Sequence, residues 1–219
     1  MKQSINTMLT RSFVKYIVFL VILLLPFLSL KAQTPNERQA RRIFNHTYDM
    51  VFGDKGSSLS YNVNIIRIYK TSGKIWMKGK KSVFEEERYI GYTNEKYYYR
   101  VDQKKKTVEI FDVDSPDKDK YASKVKFDLE EFVYHIAAED DNYVITLDLK
   151  KGAKGTVKHA KAYINKKTRY PVKLRLKVLF FWITVDINNF HYGLTDETVF
   201  DFPANKFSSY KTEDKRVHK

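Results

Sequence analysis

The sequence contains no cysteine, and this absence excludes several kinds of fold and chemistry. Disulfide bonds cannot hold the domain together, so a hydrophobic core must do so. Thiol catalysis and cysteine-based zinc sites are excluded as well. Because no cysteine follows the apolar N-terminal segment, there is no thiol at that junction to carry a lipid anchor.

Residue patterns typical of enzymes and metal sites are also missing. Histidine occurs without metal-ligand spacing, at positions 46, 135, 159, 191 and 218. There is no glycine-rich phosphate loop and no Gly-x-Ser-x-Gly motif. Residues 112–119 resemble a calcium loop, but its turn glycine is missing and Ser123 replaces the bidentate glutamate. Acidic runs at 85–87 and 139–141 would place neighbouring carboxylates on opposite faces of a strand, so we expect no enzyme, cofactor or metal site.

The first 32 residues have the order typical of a secretory signal peptide. Lys2, Arg11 and Lys15 form a positive segment without acidic residues, and a nearly unbroken apolar run covers residues 16–30. Ala32 supplies the small residue that signal peptidase requires. We therefore predict export, with cleavage near Ala32.

An uncleaved membrane anchor is the alternative interpretation of this segment. Residues 13–30 are almost as long as the roughly 20 apolar residues that span a bilayer. Pro26 interrupts the late part of the run, which favours a cleaved signal.

The remaining chain is strongly basic. Without residues 1–32, which contain four Lys or Arg and no Asp or Glu, the net charge falls from +14 to +10. The lysines are spread along predicted strands and turns and are not massed on one helix, so we expect no nucleic acid partner. An acidic partner, an anionic membrane surface and a merely solvated surface all remain compatible with this charge.

The exported part is predicted to be one domain, residues 33–210, followed by a charged and frayed tail at 211–219. Residues 39–52 are predicted to form an amphipathic helix, because their apolar positions recur at intervals of three and four. These positions are Ala40, Ile43, Phe44, Thr47, Tyr48 and Val51. Residues 53–56 (GDKG) would end the helix.

After Gly56 the apolar period changes to two, which predicts antiparallel strands. Ile66 and Ile68 fall on the opposite parity, as a bulge would give. Turns are predicted at 71–73 and 79–81, and nine to eleven strands follow in all, the last at 198–202. Residues 124–138 are ambiguous and also suit a short helix. Such a series of short strands builds a sandwich or a barrel.

Aromatic residues are concentrated in the predicted strands, above all at 97–99 (YYY) and 180–182 (FFW). In such runs, apolar side chains face both sides of a sheet. They could fill an ordinary core, or they could line an apolar cavity for a lipid, since ligand sites are mostly hydrophobic.

Four segments in order resemble the LolA-like periplasmic lipoprotein carriers. Residues 39–52 (QARRIFNHTYDMVF) occupy the place of the first helix of that family. The resemblance continues through residues 74–111, residues 163–178 (YINKKTRYPVKLRLKV) and residues 194–203 (LTDETVFDFP). The family usually has a basic residue, often arginine, in the turn after the second strand; this chain has Gly-Lys-Lys at 79–81, so a lysine would have to substitute.

The resemblance implies a mainly β (α+β) fold. Its curved, incompletely closed antiparallel sheet, a half-barrel, would be covered by the N-terminal helix and a short helical lid. The hollow would bind the acyl chains of lipoproteins or lipids. The residues implied as its lining are Trp76, Tyr97, Tyr99, Ile145, Leu147, Leu174, Leu176, Ile183 and Val185. The residues implied as the lid are Ile43, Tyr48 and Phe52 on the first helix, with Phe132 and Ile136 on a second.

The implied function is a monomeric periplasmic carrier between an inner-membrane donor and an outer-membrane acceptor. Two other functions remain open at this point. The same fold could serve a non-transporting envelope sensor or adaptor. A structural or glycan-binding envelope domain would instead expose the tyrosines at 97–99 and pack its inner face tightly.

Overall fold

The computed structural model describes residues 33–65, 69–118, 128–178 and 180–217. In these ranges the chain forms one α-helix, twelve strands and three single-turn 3-10 helices. The elements are α1 (Pro35–Phe52), β1 (Ser57–Ile65), β2 (Tyr69–Lys78), β3 (Lys81–Glu86), β4 (Tyr89–Thr93), β5 (Tyr97–Asp102), β6 (Thr107–Asp112), β7 (Phe132–Glu139), β8 (Asn142–Leu149), β9 (Val157–Asn165), β10 (Pro171–Val178), β11 (Phe181–Tyr192) and β12 (Lys211–Asp214). The predicted signal segment and the predicted parity change at Ile66 and Ile68 lie outside the described residues.

Helix α1 confirms the predicted N-terminal helix and begins four residues earlier, at Pro35. Pro35 occupies its first turn, where the missing backbone N–H costs nothing. The face with Ala40, Ile43 and Val51 is buried. At the other end the backbone N–H of Gly53 donates to the oxygen of Asp49 over 2.8 Å. No helix in the part of the chain described here is long and apolar enough to cross a bilayer.

All twelve strands form one sheet in the order β12-β6-β5-β4-β3-β2-β1-β11-β10-β9-β8-β7. Neighbours are antiparallel except for β12, which runs parallel to β6. The pairing of β1 with β11 joins the first half of the chain to the second. The order has two ends, so the sheet is open, as predicted for an incompletely closed sheet.

The two faces of the sheet are covered by different parts of the chain. Helix α1 packs on one face, called here the helix face, where Ala40 and Ile43 meet buried residues of β7, β8 and β9. The opposite face, called here the outer face, is covered along β2–β6 by residues 194–210. Phe200 and Phe207 of that segment are buried against Val83, Tyr92 and other outer-face residues.

The described part of the ambiguous range 124–138 forms one short helical turn followed by a strand, so the prediction of Phe132 and Ile136 on a lid helix is wrong. Leu129–Glu131 form a single 3-10 turn, and Phe132 and Ile136 lie on strand β7, not on a lid helix. The apolar residues there also fit a period of two. Pairing with β8 along the whole strand satisfies the backbone, so the period of two determines the outcome.

Three other local predictions are corrected by the sheet. The turn predicted at 71–73 is part of β2, because these residues pair with residues 61–63 of β1. Gly73 lies against the Tyr61 ring, and a strand glycine often marks such a close approach. Thr198–Phe200 form a 3-10 turn stabilised by Asp196, which accepts hydrogen bonds from the Thr198 amide and hydroxyl. The tail is not frayed at its start, since Lys211–Asp214 form β12.

Candidate functional site

An apolar hollow of about 740 Å³ lies between α1 and the helix face of the sheet. Its volume is within the range of small-molecule sites. Seven adjacent strands, β3-β2-β1-β11-β10-β9-β8, supply its floor and walls, so the sheet curves around it. The lining residues on the strands are Leu59, Tyr61, Val63, Ile75, Met77, Phe84, Glu86, Leu147, Val157, Ala160, Ala162, Tyr163, Ile164, Pro171, Lys173, Leu174, Leu176, Val185 and Ile187.

The roof of the hollow is an aromatic row on α1. Phe44, Tyr48 and Phe52 are four residues apart and therefore lie on one face of the helix. The ring centroids are 6.2 Å apart for Phe44 and Tyr48, and 4.6 Å for Tyr48 and Phe52. Tyr48 and Phe52 remain 40% and 44% exposed. The roof therefore holds large apolar surface that the protein itself does not cover.

The roof helix is fixed at both ends. Near its start, Asn36 donates to the Ile136 oxygen and accepts from the Ile136 amide, each over 3.0 Å, and so pairs the free edge of β7. Further along, the Thr47 hydroxyl donates to the Arg169 oxygen over 3.0 Å. Ser57 donates to the last turn at the Val51 oxygen over 2.7 Å. Four hydrogen bonds along its length thus hold the roof helix against the sheet and the following strand.

Tyr134 of β7 stabilises the N-terminal part of the roof helix. Its hydroxyl donates to the Leu129 oxygen over 3.1 Å, and the Arg41 guanidinium lies 4.3 Å from its ring centroid. Burial raises the pKa of Tyr134 to about 12, although Arg41 acts in the opposite direction. The phenol stays neutral at any physiological pH, so this contact is not a pH switch.

One polar pair interrupts the apolar lining. The Tyr61 hydroxyl donates to Oε1 of Glu86 over 2.7 Å, and both residues border the hollow. Tyr61 of β1 reaches β3 across Gly73 of β2, where a Cβ atom would lie 2.8 Å from the phenol oxygen. The pair gives the hollow a hydrogen-bond acceptor beside walls that are mainly apolar.

A second glycine makes room for a wall residue. Phe84 of β3 pairs with Gly91 of β4, and a Cβ atom at Gly91 would lie 2.1 Å from Cε1 of the Phe84 ring. The ring therefore occupies the space of the missing side chain. Because Phe84 also borders the hollow, Gly91 controls the shape of that wall.

Gly91→Ala is expected to lower the free energy of unfolding by about 1–3 kcal/mol, the usual range for overpacking. The added methyl group displaces the Phe84 ring. The measurement is urea denaturation of the variant and of a Phe84→Leu/Gly91→Ala double variant. In the Phe84→Leu background the cost of the methyl group should fall, and an unchanged cost would contradict this role of Gly91.

Six of the residues predicted for the site border the hollow. They are Leu147, Leu174, Leu176 and Val185 on the strands, with Tyr48 and Phe52 on the roof. Ile183 pairs with Leu176, just beyond the lining. Ile145, Ile43 and Phe132 are buried in the core between α1 and the sheet, and Ile136 packs against that core. The roles of Ile183 and Ile145 in lipid binding and of Ile43 in a lid remain predictions, whereas Phe132 and Ile136 lie on β7 and not on a lid helix.

Three predicted lining residues lie on the wrong face for the hollow. Trp76, Tyr97 and Tyr99 point to the outer face, where the Tyr99 ring stacks on Phe202 with centroids 4.3 Å apart. Trp76 packs in the same cluster, and Arg216 lies over the Tyr97 ring. The prediction placed them in the hollow because aromatic runs do not reveal which face the helix covers.

The sequence reasoning missed part of the lining. Leu59, Ile75, Met77 and Phe84 were not assigned to the hollow, nor were Ala160 and Ala162. The alternation of Leu59, Tyr61 and Val63 is a usable signal, because it marks one face of β1, and Val63 pairs with Val185, which also borders the hollow.

Comparisons with known proteins give likenesses of fold. No protein-family model and no curated protein matches the chain. An uncharacterized conserved protein from Thermus thermophilus is similar in structure, with 11% identity, a TM-score of 0.51, and coverage of 81% of this chain and 99% of that one.

Two further structural matches have TM-scores below 0.5. A LolA superfamily protein from Nitrosomonas europaea matches with 7% identity and a TM-score of 0.37, over 74% of this chain and 97% of that one. The lipoprotein LppX from Mycobacterium tuberculosis matches with 9% identity and a TM-score of 0.39, over 73% and 98%. A LolA superfamily protein, the family that the sequence resembles, is thus among the structural matches, at a TM-score below 0.5.

Proposed function

We propose that this protein is a lipid-binding protein of the bacterial envelope that holds acyl chains in the hollow beneath α1. One observation carries the proposal: a hollow of about 740 Å³ with mainly apolar walls lies under a row of half-exposed aromatic side chains. An acyl chain in this space would cover Tyr48 and Phe52. Burying apolar area contributes about 25 cal/mol per Å², so an unbranched chain is a suitable ligand.

The proposed biological role is carriage. The chain would take acylated lipoproteins or lipids from an inner-membrane donor, cross the periplasm as a monomer after removal of residues 1–32, and release its cargo to an outer-membrane acceptor. The open sheet and the half-exposed aromatic row on the roof support this role, since a carrier must release what it binds. The Tyr61–Glu86 pair supports a cargo with a hydrogen-bond donor next to its acyl chain.

The test is the identification of bound lipid. The protein is purified from the envelope without detergent, extracted with organic solvent, and the extract is analysed by mass spectrometry. We expect an acylated lipid or acylated peptide in amounts comparable to the protein. A lipid-free protein that also fails to take up a fluorescent fatty acid would overturn the proposal.

Carrier and adaptor functions differ in what depletion does. If the protein carries lipoproteins, its depletion leaves acylated proteins in the inner membrane. If it is a sensor or adaptor, lipoprotein distribution stays normal. Fractionation of the two membranes after depletion separates these outcomes.

A further inference from the structure

The tip of the β10–β11 hairpin exposes two adjacent phenylalanines. Strand β10 ends at Val178, which pairs with Phe181 at the start of β11. Phe180 is 90% exposed and Phe181 is 51% exposed. Large apolar side chains that are adjacent and exposed are a common mark of an interaction site.

The base of this tip is held by packing. The Trp182 ring meets His159 edge-on, with centroids 5.4 Å apart, and the Arg175 guanidinium lies 4.8 Å from the Trp182 ring centroid. Trp182, which directly follows the two phenylalanines, is thus packed against the neighbouring strands.

The tip continues the lining of the hollow. Leu176, which borders the hollow, precedes Val178 by two residues, or about 7 Å along a strand. Phe181 has the same parity as Val185, another lining residue, so it lies on the helix face. A surface that binds the tip therefore lies next to the end of the hollow.

Exposed lysines surround this end of the sheet. Lys177 on β10, Lys158 on β9 and Lys70 on β2 are exposed. None of the three forms an ion pair within the described ranges. Asp148, the acidic residue that the register places near the tip, is in contact with His159. Aromatic side chains at the front with lysines behind them fit a membrane interface with anionic lipids.

We propose that the β10–β11 tip docks on the surface of anionic bilayers, with Phe180 and Phe181 entering the headgroup region. The lysines would pair with lipid phosphates, and the end of the hollow would then face the membrane from which acyl chains are taken or to which they are given. This docking goes beyond the proposed function and does not require that the hollow be filled.

The test is vesicle flotation of the purified protein. Vesicles of phosphatidylethanolamine and phosphatidylglycerol should carry the protein, and vesicles of phosphatidylethanolamine and phosphatidylcholine should carry much less. A Phe180→Ser/Phe181→Ser variant should partition at least about tenfold less, given the area that two phenyl rings bury. Raising the salt concentration should weaken binding, because salt screens exposed charges.

Tyr192→Ser is the matched control. Tyr192 is 39% exposed and lies at the opposite end of β11, so its loss should leave flotation unchanged. Failure of the native protein to float with anionic vesicles would overturn the proposal, as would equal flotation of the Phe180→Ser/Phe181→Ser variant. The circular dichroism spectrum of the Phe180→Ser/Phe181→Ser variant should match that of the native protein, so that a loss of flotation reports docking and not unfolding. Uptake of a fluorescent fatty acid by the native protein, measured without vesicles, tests the function of the hollow separately.

Discussion

Replacing Leu174 by glutamate is expected to lower the affinity of the protein for a fluorescent fatty acid by at least about a hundredfold. Leu174 lies on the floor of the hollow beside Val185. An unpaired carboxylate in apolar surroundings costs about 3 kcal/mol or more, and about 1.4 kcal/mol corresponds to a factor of ten. The measurement is a fluorescence titration at constant protein concentration.

The matched control places the same carboxylate on the other face of the sheet. Thr184 is on the neighbouring strand β11 and pairs with Arg175, so Thr184→Glu puts its charge on the outer face next to a cation. This variant should bind the probe like the native protein. Equal loss of binding in both variants would show that any charge on these strands disturbs binding, and the hollow would not be the site.

A second variant tests whether the loss of binding in Leu174→Glu could be due to unfolding. Ala162 borders the hollow and is 8% exposed, so Ala162→Phe fills space without adding charge. Its affinity for the probe should fall as well, while its circular dichroism stays native. Retention of full affinity with the space filled would contradict the hollow as the binding site.

The sequence predicts the positions of the helix and strands better than it predicts which face of the sheet a side chain occupies. Period-two alternation located β8, β10 and β11, and the intervals of three and four located α1, because these patterns record which side of each element is dry. In each of these elements the apolar pattern repeats often enough to exclude the other period. The apolar pattern at residues 132–136 is too short to distinguish a helix from a strand. Pairing with β8 determines that these residues form a strand.

The assignment of the candidate site depended on contacts between distant parts of the chain. Tyr99 and Val185 are both apolar strand residues, yet only Val185 faces the helix. The difference arises because residues 194–210 return over β2–β6 and cover the outer face, and no local pattern encodes that return. An aromatic run with apolar residues on both faces of a sheet indicates that other segments pack on both faces. The helix packs on only one of them.

The separation of the two faces leads to a stability prediction for the second cover. Phe207→Ala is expected to lower the free energy of unfolding by about 3–5 kcal/mol, the usual cost of truncating a buried phenylalanine. Phe207 is 5% exposed, and its ring centroid is 5.6 Å from that of Phe202, which in turn stacks on Tyr99. The measurement is urea denaturation at neutral pH.

The same substitution should leave the affinity for the fatty acid probe within about twofold of native under conditions where the variant is folded, because Phe207 lies across the sheet from the hollow. Phe180→Ala is the matched control for stability, since Phe180 is 90% exposed and exposed positions usually change stability by no more than about 0.5 kcal/mol. If Phe207→Ala stayed folded but lost probe affinity as Leu174→Glu does, the outer-face aromatics would take part in binding after all. Preserved affinity with a large loss of stability would assign Trp76 and Tyr99 to the core and leave the helix face as the binding surface.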